Sequence, residues 1–112
     1  WVKGKSHDTY GPIGPYLVTK DEIKDINNLN MSLDVNDKRM QTGNTNNMIF
    51  NVDVIVSYLS KFMSLQAGDL ITTGTPPGVG MGKKPQIFLK VGDNMKLHIE
   101  NLGEQNSKVV AL

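Results

Sequence analysis

Cysteine is absent from this chain. That excludes a disulfide framework and thiolate metal sites, and it suits a cytoplasmic location. An excess of one charge is also missing. Twelve basic and 11 acidic side chains leave a net charge of +1, so no nucleic acid or other polyanion is implied as a partner. No apolar run approaches the length of a membrane span, and no signal peptide is visible, so no membrane partner is expected. Internal repeats and low-complexity segments are lacking too. The sequence has no initiator Met, and Trp1-Val2-Lys3-Gly4-Lys5 reads as the middle of something. The expectation is the C-terminal part of a longer protein.

A length of 112 residues fits one domain with a modest core, near the size where partner subunits often help. Hydrophobic content of 38% and charged content of 21% are ordinary for a soluble protein. The most informative stretch is Thr72-Thr73-Gly74-Thr75-Pro76-Pro77-Gly78-Val79-Gly80. Its glycines and prolines stop either a strand or a helix from continuing. A loop remains, with bare amides and threonine hydroxyls of the kind that hold an anionic oxygen. A second stretch, Gly4-Lys5-Ser6-His7-Asp8-Thr9, supplies a cation. Together they read as halves of one site for a small oxo acid. The loop alone reads equally well as a tight connection with no ligand.

Hydrophobic periodicity sketches the rest. Residues Trp1 to Tyr10 read as a strand end running into a loop, and Gly11-Pro12-Ile13-Gly14-Pro15 as a rigid turn. Tyr16–Val18, Asp69–Ile71, Ile87–Leu89 and Lys108–Leu112 read as short strands. Thr19 and Glu22 match a capping box, which predicts a helical turn through Ile23 to Ile26. Leu29, Met31, Leu33 and Val35 alternate with polar residues, as do Met95, Leu97 and Ile99, and each series predicts a strand with one wet face. Asn36-Asp37 is a hairpin turn in this reading, Lys38–Gln41 the returning strand, and Thr42–Asn47 a polar loop. The one long helix runs from Val52 to Met63, capped by Asn51. Val52, Ile55, Val56, Leu59, Phe62 and Met63 share one face, which is expected to pack on a sheet. Gly92-Asp93 and Leu102-Gly103-Glu104 are turns. The sum is a β-rich α+β domain with one main helix.

The order of these pieces resembles the fumarylacetoacetate hydrolase family. The resemblance rests on Gly4-Lys5-Ser6-His7-Asp8-Thr9, Gly11-Pro12-Ile13-Gly14-Pro15-Tyr16-Leu17-Val18-Thr19, and Val35-Asn36-Asp37 with Gln41, Asn44-Thr45 and Met48-Ile49-Phe50. Gly68 to Gly80 and Gly92-Asp93 complete it, so it covers essentially the whole chain. It implies a rolled, mixed β-structure of that family's C-terminal type, usually in a homodimer or larger assembly. It also implies metal-assisted cleavage, decarboxylation or isomerisation of small oxo and diketo acids through an enolate-like charge. The Thr-Gly-Thr-Pro loop is similar to that of acylpyruvate hydrolases, oxaloacetate decarboxylases and the isomerase/decarboxylases of homoprotocatechuate breakdown. Magnesium, manganese or calcium is the implied cofactor. Its carboxylate ligands are expected upstream of Trp1, so residues 1–112 read as a partial catalytic domain without metal ligands. The residues credited with general base work are expected upstream as well.

By this resemblance Lys5 is the active-site lysine, able to stabilise enolate charge. Thr75 contacts substrate, assisted by the amide of Gly74, with Thr73 a weaker candidate. Asp8 supports Lys5 as an ion pair or shapes the loop. His7 has no defined role, and His98 belongs to a wet strand face with Lys96 and Glu100. Met31, Met48, Met63 and Met95 read as core filling. Lys83-Lys84 is too short a run for nucleic acid. Two other readings stay open: a catalytically silent binding or assembly module with the same fold, and a small non-enzymatic β-domain.

Overall fold

The computed structural model describes residues 1–111. Four antiparallel strands form one sheet in the order β2-β1-β3-β4. They are β1 (Asn30–Val35), β2 (Lys38–Asn44), β3 (Asn94–Ile99) and β4 (Gly103–Lys108). The two helices are α1 (Val2–Lys5) and α2 (Val52–Leu59). The β-rich α+β architecture with one main helix holds, with every strand pair antiparallel.

The β1–β2 hairpin turns on Asn36 and Asp37, at φ of 50° and 62°. A two-residue hairpin loop needs positive φ at both central positions, which Asn and Asp tolerate. The turn is also clasped from outside. Asn36 Nδ2 donates to Asp93 Oδ1 at 2.8 Å, and the Asn94 amide donates to Asn36 Oδ1 at 2.9 Å. The Lys90 amide and Asn36 together hold the Asp93 carboxyl below its ordinary value. Asn36 and Gly92-Asp93, far apart in sequence, are thus two halves of one structural fastening.

A register shift divides β2. Leu33 pairs with Gln41 but Asp34 pairs with Arg39, so Met40 is an extra residue on β2. Such a bulge reverses the facing of everything beyond it. Arg39 therefore lies with Asp34 on one face, and Gln41 lies with Leu33 on the other. The first face is polar and carries Ser32, Asp34, Arg39, Lys96, His98 and Glu104. The second carries the rows Gln41-Leu33-Leu97-Gln105 and Gly43-Met31-Ile99-Gly103.

Two expectations for the helices change. Residues 1–10 hold α1 rather than a strand end, because Gly4 and Ser6 find local acceptors in the Trp1 and Val2 carbonyls. The helical turn after Thr19 is a 3-10 turn at Lys20–Glu22 instead of Ile23–Ile26, and Thr19 makes no side-chain cap bond. Helix α2 starts as expected, with the Asn51 side chain accepting from the Val54 amide at 2.9 Å. It ends at Leu59, four residues early, and Phe62 and Met63 stay 68% and 54% exposed. Along α2, Val52, Ile55 and Leu59 are half-buried, whereas Val54, Val56 and Tyr58 are exposed, so Val56 falls outside the covered stripe.

The strand expectations at Tyr16–Val18, Asp69–Ile71 and Ile87–Leu89 also fail. These segments have no ladder partner among the described residues, and apolar character alone does not make a strand. Thr42–Asn44 belong to β2 rather than to a loop, and Thr45–Asn47 form a 3-10 turn. The last strand is Gly103–Lys108, not Lys108–Leu112; Leu112 lies outside the described residues.

Little of the apolar surface is closed. Among the described residues Leu29 is the one buried hydrophobic residue, and no side chain is fully enclosed. The accessible surface is 9268 Å², against about 6,100 Å² for a compact monomer of this size. The radius of gyration is 15.5 Å, where about 13 Å is usual. Trp1, Leu17, Ile49 and Phe50 are among the large apolar side chains left exposed.

Candidate functional site

The Gly-Pro loop rests on the bulged half of β2. Gly78 backs onto the Met40 carbonyl so closely that no Cβ would fit, and its φ is 117°. Pro76 lies over Gly43, where an added Cβ would sit 2.7 Å from the proline ring. Gln41 supplies the polar fastening. Its Nε2 donates to the Thr75 hydroxyl at 2.8 Å and to the Pro76 carbonyl at 2.6 Å. Gln41 is 8% exposed, the one buried polar residue described.

The opposite edge of the same face is built alike. Gln105 Nε2 donates to the Gly14 carbonyl at 2.8 Å, and Gly103 leaves room for the Tyr16 ring. An apolar hollow of about 290 Å³ runs between Gly14–Val18 and residues of β3 and β4. Each edge strand thus offers a Gly and a Gln two residues apart to receive one proline-rich segment. The sheet brings both segments to one face: the loop carrying Thr75, and the stretch that continues from Lys5.

The individual side chains sit as follows. Thr75, Gly74 and Thr73 are exposed, and Gly74 has φ of 96°. The Gly74 and Thr75 amides donate to no group among the described residues. Lys5 ends α1 and is exposed, as is Asp8. The expected Lys5–Asp8 ion pair is not formed; the ion pairs among the described residues are Arg39–Asp34 and Lys96–Glu104. No hydrogen bond joins Lys5 to the Gly-Pro loop among those residues. His7 stacks against Tyr10 with ring centroids 4.7 Å apart, in keeping with a structural role. Asn44 and Thr45 are also structural: Asn44 bonds Asn28 and Asn30, and the Thr45 hydroxyl accepts from the Leu29 amide.

An open hollow of about 490 Å³ on the polar face is the main competing place for a ligand. Its two cations are already paired. Arg39 hydrogen-bonds Asp34 and holds that carboxyl below its ordinary value. Asn106 and then Lys96 lower the Glu104 carboxyl in the same way. A hollow whose cations are both paired, and which also carries the Asp37 carboxylate, has little left for a small acid, and neither Lys5 nor Thr75 borders it.

Metal chemistry does not fit these residues by themselves. Among the described residues no group of three or more His, Asp or Glu is placed to hold an ion. Gln41 is the site residue whose role the sequence conceals: a glutamine in a polar strand carries no signal of burial, and the bulge that turns it inward has none either.

Comparison with known proteins gives the family and the fold. Residues 1–110 match the family model described as fumarylacetoacetate (FAA) hydrolase C-terminal. A 2,4-didehydro-3-deoxy-L-rhamnonate hydrolase from a Sphingomonas strain is 60% identical over 97% of this chain and 39% of its own. The structure of a fumarylacetoacetate hydrolase from Exiguobacterium antarcticum superposes with a TM-score of 0.94 at 40% identity, over 98% of this chain and 39% of that one. A maleylpyruvate hydrolase from a Sphingobium species, solved with manganese(II) and pyruvate, gives 0.85 at 36% identity over 93% and 37%. The chain thus spans about two fifths of the length of these relatives. With the family model matched almost end to end and the same fold in its solved members, the chain belongs to the fumarylacetoacetate hydrolase family.

Proposed function

We propose that this chain is the C-terminal part of an enzyme that hydrolyses, decarboxylates or isomerises small oxo or diketo acids through an enolate-like charge. The observation that carries the reading is Thr75, whose hydroxyl is held at the surface of a fastened loop beside two unused amides. Such a loop can receive a carboxylate or carbonyl oxygen without reorganising. Lys5 supplies the cation that stabilises charge as the enolate develops. The Gly74 amide is a second donor, Thr73 a lesser one, and Asp8 shapes the Lys5 loop.

The reaction is proposed to require a divalent cation, held by carboxylates on a segment preceding Trp1. The Sphingobium relative, solved with manganese and pyruvate, supports both the ion and the oxo-acid class. The protein is further proposed to work in the cytoplasm, for which the lack of cysteine speaks, and as a homodimer or larger assembly. No described helix is long and apolar enough to cross a membrane. The surface in excess of a compact monomer is about 3,000 Å², as much as large permanent interfaces bury, and it supports both the preceding segment and a second subunit as cover.

A turnover assay on the natural-length protein tests this. Substrates are 2,4-didehydro-3-deoxy-L-rhamnonate, suggested by the Sphingomonas relative, oxaloacetate and an acylpyruvate. Turnover of at least one, lost with chelator and restored by Mg²⁺ or Mn²⁺, is expected. A folded dimer that turns over none of them with either metal would favour the binding or assembly module instead.

A further inference from the structure

Gln41 does more than fasten the loop. Its amide nitrogen faces two oxygens, Thr75 Oγ1 at 2.8 Å and the Pro76 carbonyl at 2.6 Å. A carbonyl oxygen can only accept, so the Gln41 atom facing Pro76 must be the NH₂ group and not the amide oxygen. The same nitrogen meets the Thr75 hydroxyl, and it can only donate there too. Thr75 Oγ1 is therefore an acceptor toward Gln41, and its own hydrogen is left for a partner on the exposed side. A threonine hydroxyl has one hydrogen and two lone pairs; with Gln41 taking one lone pair, the hydrogen of this one is kept free to donate.

We propose that Gln41 is a positioning residue that sets the Thr75 hydroxyl as a hydrogen-bond donor toward an anionic substrate oxygen. The inference rests on the oxo-acid reading above. It also explains why the bulge at Met40 matters to function. Were Met40 paired with Leu33 in an unbroken ladder, Gln41 would fall opposite Ser32 on the polar face and could not reach the loop. The hydroxyl hydrogen is thereby offered to ligands that accept, such as carboxylates and enolates.

Pyruvate binding to the metal-loaded, natural-length protein is the test, measured calorimetrically for wild type, Thr75→Val, Gln41→Met and the double variant. Loss of a hydrogen bond to a charged group predicts about tenfold weaker binding for Thr75→Val. Gln41→Met should lose several-fold, and the double variant should bind no more weakly than Thr75→Val, because Gln41 acts through that hydroxyl. Gln41→Glu adds a readout that simple loosening would not move. An ionised carboxylate captures the Thr75 proton, whereas a protonated one donates as glutamine does. Pyruvate affinity of Gln41→Glu relative to wild type should therefore rise as pH falls. This titration decides the matter if Gln41→Met does not fold. Losses that add in the double variant, or a Gln41→Glu affinity ratio independent of pH, would overturn the role. If wild type binds pyruvate and Lys5→Ala weakens it while the Gln41 and Thr75 variants do not, this inference alone fails. If wild type binds no pyruvate, the oxo-acid reading fails and takes the inference with it.

Discussion

Lys5→Ala is expected to lower kcat by about 10²–10³-fold in the natural-length protein, the usual effect of removing one group that stabilises an oxyanion. The melting temperature should hardly change. Lys5 ends a single exposed helical turn, and no ion pair holds it among the described residues. No packing is lost with it, so the variant separates chemistry from folding more cleanly than any other in the site. Kinetics and a thermal melt on the same preparation check both halves. Wild-type turnover would remove Lys5 from the mechanism, and a large drop in melting temperature would make it structural.

Gly78→Ala should strongly destabilise the seat of the loop on β2. Two effects coincide there. The backbone has φ of 117°, which costs a residue with a side chain about 1–3 kcal/mol, and the new methyl would run into the Met40 carbonyl, which is backbone and cannot swing aside. Overpacking of that kind costs about 1–3 kcal/mol more. Together they predict about 2–6 kcal/mol of destabilisation in urea unfolding, relieved only if the loop lifts off β2 and breaks the Gln41–Thr75 bond. Gly74→Ala is the internal control. Its φ is 96°, but nothing lies within 4 Å of the added carbon. It should suffer the conformational penalty alone. Equal losses at the two positions would mean that the loop is not seated on the bulge.

The parts of this fold that the sequence makes legible are those with local causes. Alternation at Met31, Leu33 and Val35 marks β1, and alternation at Met95, Leu97 and Ile99 marks β3. Two residues that tolerate positive φ mark the hairpin between β1 and β2. The Asn51 cap marks the start of α2. Strand β4 hides because Gly103-Glu104-Gln105-Asn106-Ser107-Lys108 has no apolar alternation; its pairing comes from β3, not from its own side chains. Tyr16–Val18, Asp69–Ile71 and Ile87–Leu89 err the other way. Their apolar side chains show a need for cover, but a strand also needs a neighbour with free backbone groups. Phe62 and Met63 continue the apolar stripe of α2 after the helix has ended. Within the site, glycines, prolines and threonines announce the loop. The surface that receives it depends on one extra residue, Met40, and on a glutamine that looks like any other.

In the proposed site an oxo acid meets Thr75 on the Gly-Pro loop, with Lys5 beside it. A crystal structure of the natural-length protein with pyruvate and a divalent cation tests it most directly. A pyruvate oxygen is expected within hydrogen-bonding distance of Thr75 Oγ1, with the Gln41–Thr75 bond intact and the Lys5 ammonium beside the same ligand. Pyruvate seated in the Asp34–Glu104 hollow, or bound with Thr75 and Lys5 both out of reach, would contradict it.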